Sequence, residues 1–401
     1  MRGNRVWAEI DLSAVRHNVR FLKSVIGKHV EVMAVVKADA YGHGAVPIAY
    51  AALGAGCTML GVGDSGEALE LRERGIVAPV VILGAIIEEE IPRVVENGIQ
   101  VTVHSKDLLA PLEEESARQG RRLDVHLKLD TGMRRLGISP SGAIEVAEAI
   151  RECPHLRLRG VCTHLSTVSG GNLEYAREQL AQFRAALESM RKLGLVDIET
   201  SIIHAANSAG AYTLPESHFD MVRIGIALYG SVPAGLSGVR SRLRPVLTLK
   251  TRIAALKQIP AGACVGYDQR YRCTDATLLA TCPFGYSDGY PYHLSNRGFV
   301  VIRGSRAPVV GTVTMDYIMI DVTRVEGVQT GDEVTIIGSD SGVSILLEEL
   351  SEIAGTIPYE LTCRLGRRVR RVYVDPEELA STALTRDMKT SPWKSPDRLP
   401  R

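Results

Sequence analysis

A clear excess of either charge is missing from this 401-residue chain: 47 Lys and Arg stand against 46 Asp and Glu, a formal net charge of +1. Nucleic-acid binders usually carry a basic excess, so the balance argues against that class. Aromatic residues are scarce, with two Trp and five Phe beside thirteen Tyr. Such a set offers hydroxyls for hydrogen bonding, although ordinary core and surface use accounts for most of them. No run approaches the ~20 apolar residues of a membrane span. Residues 1–10 lack the apolar stretch of a signal peptide. The seven cysteines, at positions 57, 153, 162, 264, 273, 282 and 363, contain no CxxC pair, which disfavours a disulfide framework and fits a reducing compartment. The nine-residue step from Cys264 through Cys273 to Cys282 is too wide to close a zinc site. The expectation is a cytoplasmic protein with no metal, no membrane contact and no nucleic-acid partner. With 45% hydrophobic and 23% charged residues, disorder, collagen and coiled coil are poor readings.

What is present is an alternation. Across the first 240 residues, short runs rich in Val and Ile recur at 31–36, 59–62, 80–83, 100–103, 124–129, 160–164, 201–204 and 221–226. Stretches of helical length separate them. The clearest, 172–193, has Asn172 as a candidate cap, apolar Leu180, Phe183, Leu187 and Met190 on one face, and Gly194 beyond its end. Strands that alternate with helices pair in parallel. Eight units predict a closed (β/α)8 barrel of the TIM type, with a doubly wound open sheet as the alternative. After about residue 240 the texture turns β-rich, at 245–255, 277–282, 298–303, 307–313, 317–322 and 333–337, with turn signals between and one helix over 345–354. The predicted organisation is an α/β barrel over 1–240, a mainly β domain over 241–375, and a loosely ordered tail over 376–401 with three prolines near its end.

In such a barrel the chemistry lies at the C-terminal ends of strands. Those ends carry Lys37, then Lys128 and Asp130 leading to Arg135, then His164, then Asn207 and Ser208, then Arg223 and Gly225. Each alone has a bland explanation, because a strand-end Lys often just meets solvent and a strand-end His is often structural. Together they put cationic and polar groups around one mouth. Lys37 follows Val35 and Val36, so its stem is expected in the barrel interior, where an ammonium is poorly solvated and its pKa can fall, as a Schiff-base lysine requires. Ser208 and the Arg223–Ile226 turn occupy the usual phosphate position of a barrel. Lysine, phosphate cradle and arginine together point to pyridoxal phosphate.

The segment Ala34-Val-Val-Lys-Ala-Asp-Ala-Tyr-Gly-His-Gly44 resembles the cofactor-attachment signature of the alanine racemase family. The resemblance continues through His126-Leu-Lys-Leu-Asp-Thr-Gly-Met-Arg-Arg-Leu-Gly137, Thr163-His164, His204-Ala-Ala-Asn-Ser208, Met221-Val-Arg-Ile-Gly225, Val265-Gly-Tyr267, Phe284-Gly-Tyr-Ser-Asp-Gly289 and Thr314-Met-Asp316. It implies a barrel followed by a β domain, pyridoxal 5'-phosphate as cofactor, and a head-to-tail homodimer with shared active sites. It further implies that Lys37 binds the cofactor and acts as one acid/base, and that Tyr267 of the partner subunit acts as the other. Arg223 would face the ring nitrogen, with His164 linking it to Tyr267. Tyr41, Ser208, Gly225 and Ile226 would hold the phosphate. Arg135 and the Met315 backbone would hold the substrate carboxylate, Tyr286 would line the entrance, and Asp316 joins as a further site residue. Lys128 matches a position that can be carbamylated and then orients Arg135.

One position departs from the pattern. Where family members carry a Tyr four residues after the Cys of Pro358-Tyr-Glu-Leu-Thr-Cys363, this chain has Arg367, which changes the size and charge of the substrate pocket. The arginines 364, 367, 368, 370 and 371 interleave with Val369 and Val372 and read as a solvated strand or a subunit contact. Asp288 and Asp332 sit in turn contexts where Asp forms turns rather than metal sites. The resulting expectation is an alanine racemase activity serving peptidoglycan precursors. A serine-preferring or broader racemase and a decarboxylase on the same plan are the enzyme alternatives, and a cofactor-carrying binding protein is the non-enzyme one. The grip of Arg135 on a carboxylate speaks against decarboxylation, and the β domain speaks against the single-barrel binding protein.

Overall fold

The first strand, β1 (Val6–Asp11), stands apart from the barrel that follows it. The computed structural model describes residues 4–168, 173–197, 200–232 and 236–375; the tail expected over 376–401 and the cap expected at Asn172 lie outside them. Asp11 ends β1 and caps the helix Leu12–Ile26 by accepting the amide of Ala14 at 3.0 Å. Eight parallel strands then close a barrel: β2 (Glu31–Val35), β3 (Met59–Val62), β4 (Val80–Ile82), β5 (Gln100–Val103), β6 (Leu123–Lys128), β7 (Leu156–Cys162), β8 (Ile202–His204) and β9 (Met221–Ile224). β9 pairs back onto β2, with Met33 opposite Arg223, so the open-sheet alternative is excluded. Most of these strand residues are buried, as expected of a sheet covered by helices outside and filled by side chains within. The helix expected over 172–193 is Glu174–Lys192, burying Ala176, Leu180, Phe183, Leu187 and Met190 in the main hydrophobic core.

Beyond residue 246 the chain is mainly β. A sheet runs in the order Ser305–Pro308, Phe299–Ile302, Glu333–Asp340, β10 (Leu247–Arg252), β1, Arg370–Val374. A second, three-stranded sheet joins Ala255–Ile259, Thr277–Cys282 and Ile318–Asp321. Three details differ from the sequence reading. β1, placed there in the first domain, pairs antiparallel with β10 and parallel with Arg370–Val374. The run 245–255 is the strand Leu247–Arg252, and its last residue already opens Ala255–Ile259 in the other sheet. The arginine cluster is a solvated face only in part: Arg364, Arg367, Arg368 and Arg370 are exposed, but half-buried Arg371 donates to the carbonyls of Gly42, Leu365, Gly366 and Val369, Arg368 bridges Asp288 and Asp316, and Arg364 pairs with Glu360. A guanidinium can satisfy several carbonyls at once, which alternation in sequence does not reveal. Trp7 is fully buried under Arg252, its indole N–H held by Glu9 at 2.9 Å.

Candidate functional site

β2 delivers Lys37 to the barrel rim, where the chain makes an unusual turn. Ala38, Asp39, Ala40 and Tyr41 all have φ between 51° and 56°. Four L-residues in the left-handed region cost about 1–2 kcal/mol each, so the surroundings must hold them. Glu67 supplies the main staple: one carboxylate oxygen accepts the amide of Ala38 at 2.5 Å and the other that of Gly63 at 2.7 Å. Asp39 accepts the amide of Ala45, and the buried His43 donates from Nδ1 to the carbonyl of Ala40 at 2.9 Å. Asp64-Ser-Gly-Glu67 reads in sequence as a helix cap with its acidic partner, which is why the role of Glu67 was not foreseen. Lys37 itself is exposed, not buried as the sequence reading expected, because the strand ends at Val35 and Val36 is the last buried position.

The desolvated lysine of the mouth is Lys128, at the end of β6. Only 8% exposed, it has no hydrogen-bond acceptor among the described residues, and burial, together with Arg223, Arg135 and Lys37, holds its pKa down. His104, at the end of β5, has a buried Nε2 without a partner, another group that sequence reading missed. Arg135 is exposed on a loop closed by reciprocal backbone bonds between Lys128, Asp130 and Ile138, and it too lacks a protein partner among the described residues.

Arg223 is buried inside the barrel. Its two terminal nitrogens meet His204 Nδ1 at 2.8 Å, the carbonyls of Thr163 and Ala205 at 2.8 and 2.9 Å, and His164 Nδ1 at 3.2 Å. Nε is the one nitrogen without a protein partner among the described residues. Because a guanidinium only donates, both histidines must accept through Nδ1, and the proton of neutral His164 sits on Nε2. Behind His204 the polar line continues, with His204 Nε2 3.0 Å from His126 Nδ1 and His126 Nε2 2.8 Å from Gln100 Oε1.

On the β8–β9 side, the Ser208 hydroxyl accepts the amides of Gly225 at 2.9 Å and Ala227 at 3.4 Å, and Ile226 is buried beside them. A side chain at Gly225 would lie 2.4 Å from the hydroxyl of Tyr41, so glycine is required for that phenol to reach the cradle. The Tyr41 hydroxyl has no partner among the described residues, and burial raises its pKa, so it remains a donor. Lys37, Arg223 Nε, Tyr41 and Ser208 are thus donors grouped round one mouth. The set suits an anionic phosphate, an aromatic nitrogen and an aldehyde that a lysine can bind.

The remaining expected residues make no hydrogen bond to these donors among the described residues. Tyr267 is 69% exposed, and no hydrogen bond or ring contact joins its side chain to the mouth among the described residues. Its carbonyl accepts Thr312, Tyr286 donates its amide to Thr314, and the Met315 carbonyl accepts Ser287. Tyr286 and Met315 are exposed as well, while Asp316 is taken up by Arg368 at 2.6 Å. Arg367 is exposed and unpaired among the described residues. Asp288 and Asp332 accept backbone amides within their turns, and no group of three metal-ligating side chains occurs among the described residues.

The buried histidines make stability depend on acid. Burial pulls His43 and His126 from 6.5 to about 4. A base with a depressed folded-state pKa stays neutral in the fold while the unfolded chain takes up a proton. Stability is therefore full above pH 6.5 and falls towards pH 4, by about 1.4 kcal/mol per pH unit per ring. Urea midpoints measured at about pH 7.5 and about pH 5 should drop by a corresponding amount. An unchanged midpoint would mean that these rings are protonated in the fold.

An eight-stranded parallel barrel with a rim lysine and a buried arginine, followed by a mainly β region, is the plan that the resemblance implied for a barrel-type amino-acid racemase. The family descriptions "Alanine racemase, N-terminal domain" and "Alanine racemase, C-terminal domain" match residues 10–233 and 246–373. The chain is 44% identical over 367 residues to the alanine racemase of Symbiobacterium thermophilum, spanning 92% of this chain and 96% of that one. The alanine racemase of Geobacter sulfurreducens is 42% identical over 92% of this chain and 97% of its own. Among solved structures, that of alanine racemase from Streptomyces lavendulae superposes with a TM-score of 0.89 at 37% identity, over 94% of this chain and 99% of that one. The alanine racemase of Bartonella henselae with covalently bound pyridoxal phosphate superposes at 0.82 and 30% identity, over 92% and 99%. The chain belongs to the alanine racemase family and is an isomerase.

Proposed function

We propose that the chain interconverts L- and D-alanine with pyridoxal 5'-phosphate, in the cytoplasm, supplying D-alanine for peptidoglycan. The carrying observation is the contrast between two sets: Lys37, Arg223 and Tyr41 share the barrel mouth, while Tyr267, Tyr286 and Met315 stand exposed, and no bond joins the Tyr267 side chain to that mouth among the described residues. A head-to-tail homodimer would bring one set onto the other. In this reading residues 1–240 hold the cofactor, with β1 lent to the sheet of residues 241–375, which supplies the second base.

When bound, pyridoxal phosphate supplies an electron-withdrawing ring that stabilises negative charge at the substrate Cα. Lys37 would attach the cofactor and move the Cα proton on its own face. Tyr267 of the partner subunit would do the same on the opposite face, because inversion needs a proton removed from one side and returned to the other. Tyr41, Ser208, Gly225 and Ile226 would hold the phosphate. Arg223 would donate from Nε to the ring nitrogen and, as a permanent cation, transfer no proton. His164, with its proton on Nε2, can donate to the phenol oxygen of Tyr267. Arg135 and the Met315 backbone would grip the substrate carboxylate, with Tyr286 and Asp316 at the entrance. Buried Lys128 without an acceptor favours a carbamylated side chain, an anion that would neutralise the cluster and orient Arg135.

A second reading, broader or serine-accepting selectivity, is favoured by Arg367, an unpaired donor where relatives of this pattern carry a phenol. Incubation with single amino acids in deuterated water tests both. Deuterium entering both enantiomers of alanine supports the main reading, comparable entry into serine supports the second, and release of carbon dioxide would overturn both.

A further inference from the structure

We propose that Gln100, His126 and Gly160 are positioning residues that hold Arg223, through His204, in one donor arrangement by a one-way chain of hydrogen bonds across the barrel. The inference rests on the reading that Arg223 faces the cofactor. The direction of every bond follows from its ends. Arg223 can only donate, so His204 accepts at Nδ1 and carries its proton on Nε2. That proton goes to His126 Nδ1 at 3.0 Å, so the proton of His126 sits on Nε2 and meets Gln100 Oε1 at 2.8 Å. The Gln100 amide nitrogen then points at Asp124, 3.5 Å away, and Asp124 is clamped through two bonds by Arg157. The line runs from the mouth towards the N-terminal end of the strands and uses β9, β8, β6 and β5.

β7 lies between β6 and β8 and would block the imidazole pair. It carries Gly160 at the crossing, where an added Cβ would stand 2.4 Å from His126 Nδ1 and 2.7 Å from its Cε1. The backbone at Gly160 is not left-handed, so clearance is what requires glycine, first for the ring and then for the Ile202 carbonyl, which the added Cβ would approach to 2.8 Å. A barrel layer does not need such a line. Met33, Met59, Val81 and Met221 make an apolar cluster on neighbouring strands, without the cost of burying polar groups. Reversing either ring would set two N–H groups against each other, ending with one facing the Arg223 guanidinium. The chain therefore excludes every arrangement in which His204 stops accepting from Arg223.

Long-range ¹H–¹⁵N spectra of histidine-labelled protein at neutral pH should show His126 and His204 each as a single neutral species with the proton on Nε2. In Gly160→Ala and Gln100→Leu that uniform state should be lost. With cofactor bound, its absorbance band should shift and kcat should fall about ten- to hundredfold at unchanged KM for alanine. Val125→Ala, a cavity on the outward face of the same strand, should lower the melting temperature without moving either signal. A wild-type ring with its proton on Nδ1, or variants whose His204 signal stays as in wild type, would overturn the chain itself. A disturbed His204 with absorbance and kcat unchanged would overturn the proposal by the other route, showing that Arg223 does not face the cofactor.

Discussion

Lys37→Ala is expected to leave the fold intact and remove the activity. Lys37 is exposed and the turn behind it is held by Glu67, Asp39 and Arg371. Its side chain contributes little to packing, so stability should change by about 0.5 kcal/mol or less. The absorbance of lysine-bound cofactor should vanish, and racemisation should fall by at least about 10³-fold, the amine being both attachment point and base. Near-normal racemisation with the absorbance lost would mean that another group, Lys128 being nearest in chemistry, carries the proton.

Tyr267→Phe should give a different signature. The phenol lies outside the core at 69% exposure, so its loss should not disturb folding or cofactor absorbance. Exchange of the Cα hydrogen should persist in one enantiomer and fall about 10²–10⁴-fold in the other. Mixing this variant with Lys37→Ala then asks where the two groups meet. If a site takes its lysine from one protomer and its tyrosine from the partner, each mixed dimer keeps one intact site, and random reassembly restores roughly a quarter of the wild-type rate. No recovery after subunit exchange would place both groups in one chain and defeat the shared-site reading.

The barrel was legible because parallel strands covered on both faces must be apolar throughout, and eight such runs stand out against helical spacing. The strand-end positions of Lys37, Lys128, His164, Ser208 and Arg223 followed from the same reading. β1 was missed because a strand paired with residues 247–252 and 370–374 carries no mark of partners more than two hundred residues away. Glu67 was missed because its local pattern satisfies a helix cap equally well. His126, His204 and Gln100 read as strand residues, and only their convergence inside the barrel makes them a line of bonds.

The amino-acid order alone determined the periodicity, the change of texture near residue 240 and the chemical types at the strand ends, since these depend on neighbours within a few residues. Tertiary structure decided which donors converge, which lysine loses its water, and that Tyr267 stands exposed with no bond to the barrel mouth among the described residues. Desolvation and hydrogen-bond direction are properties of packed space, set by groups that meet only when the barrel closes.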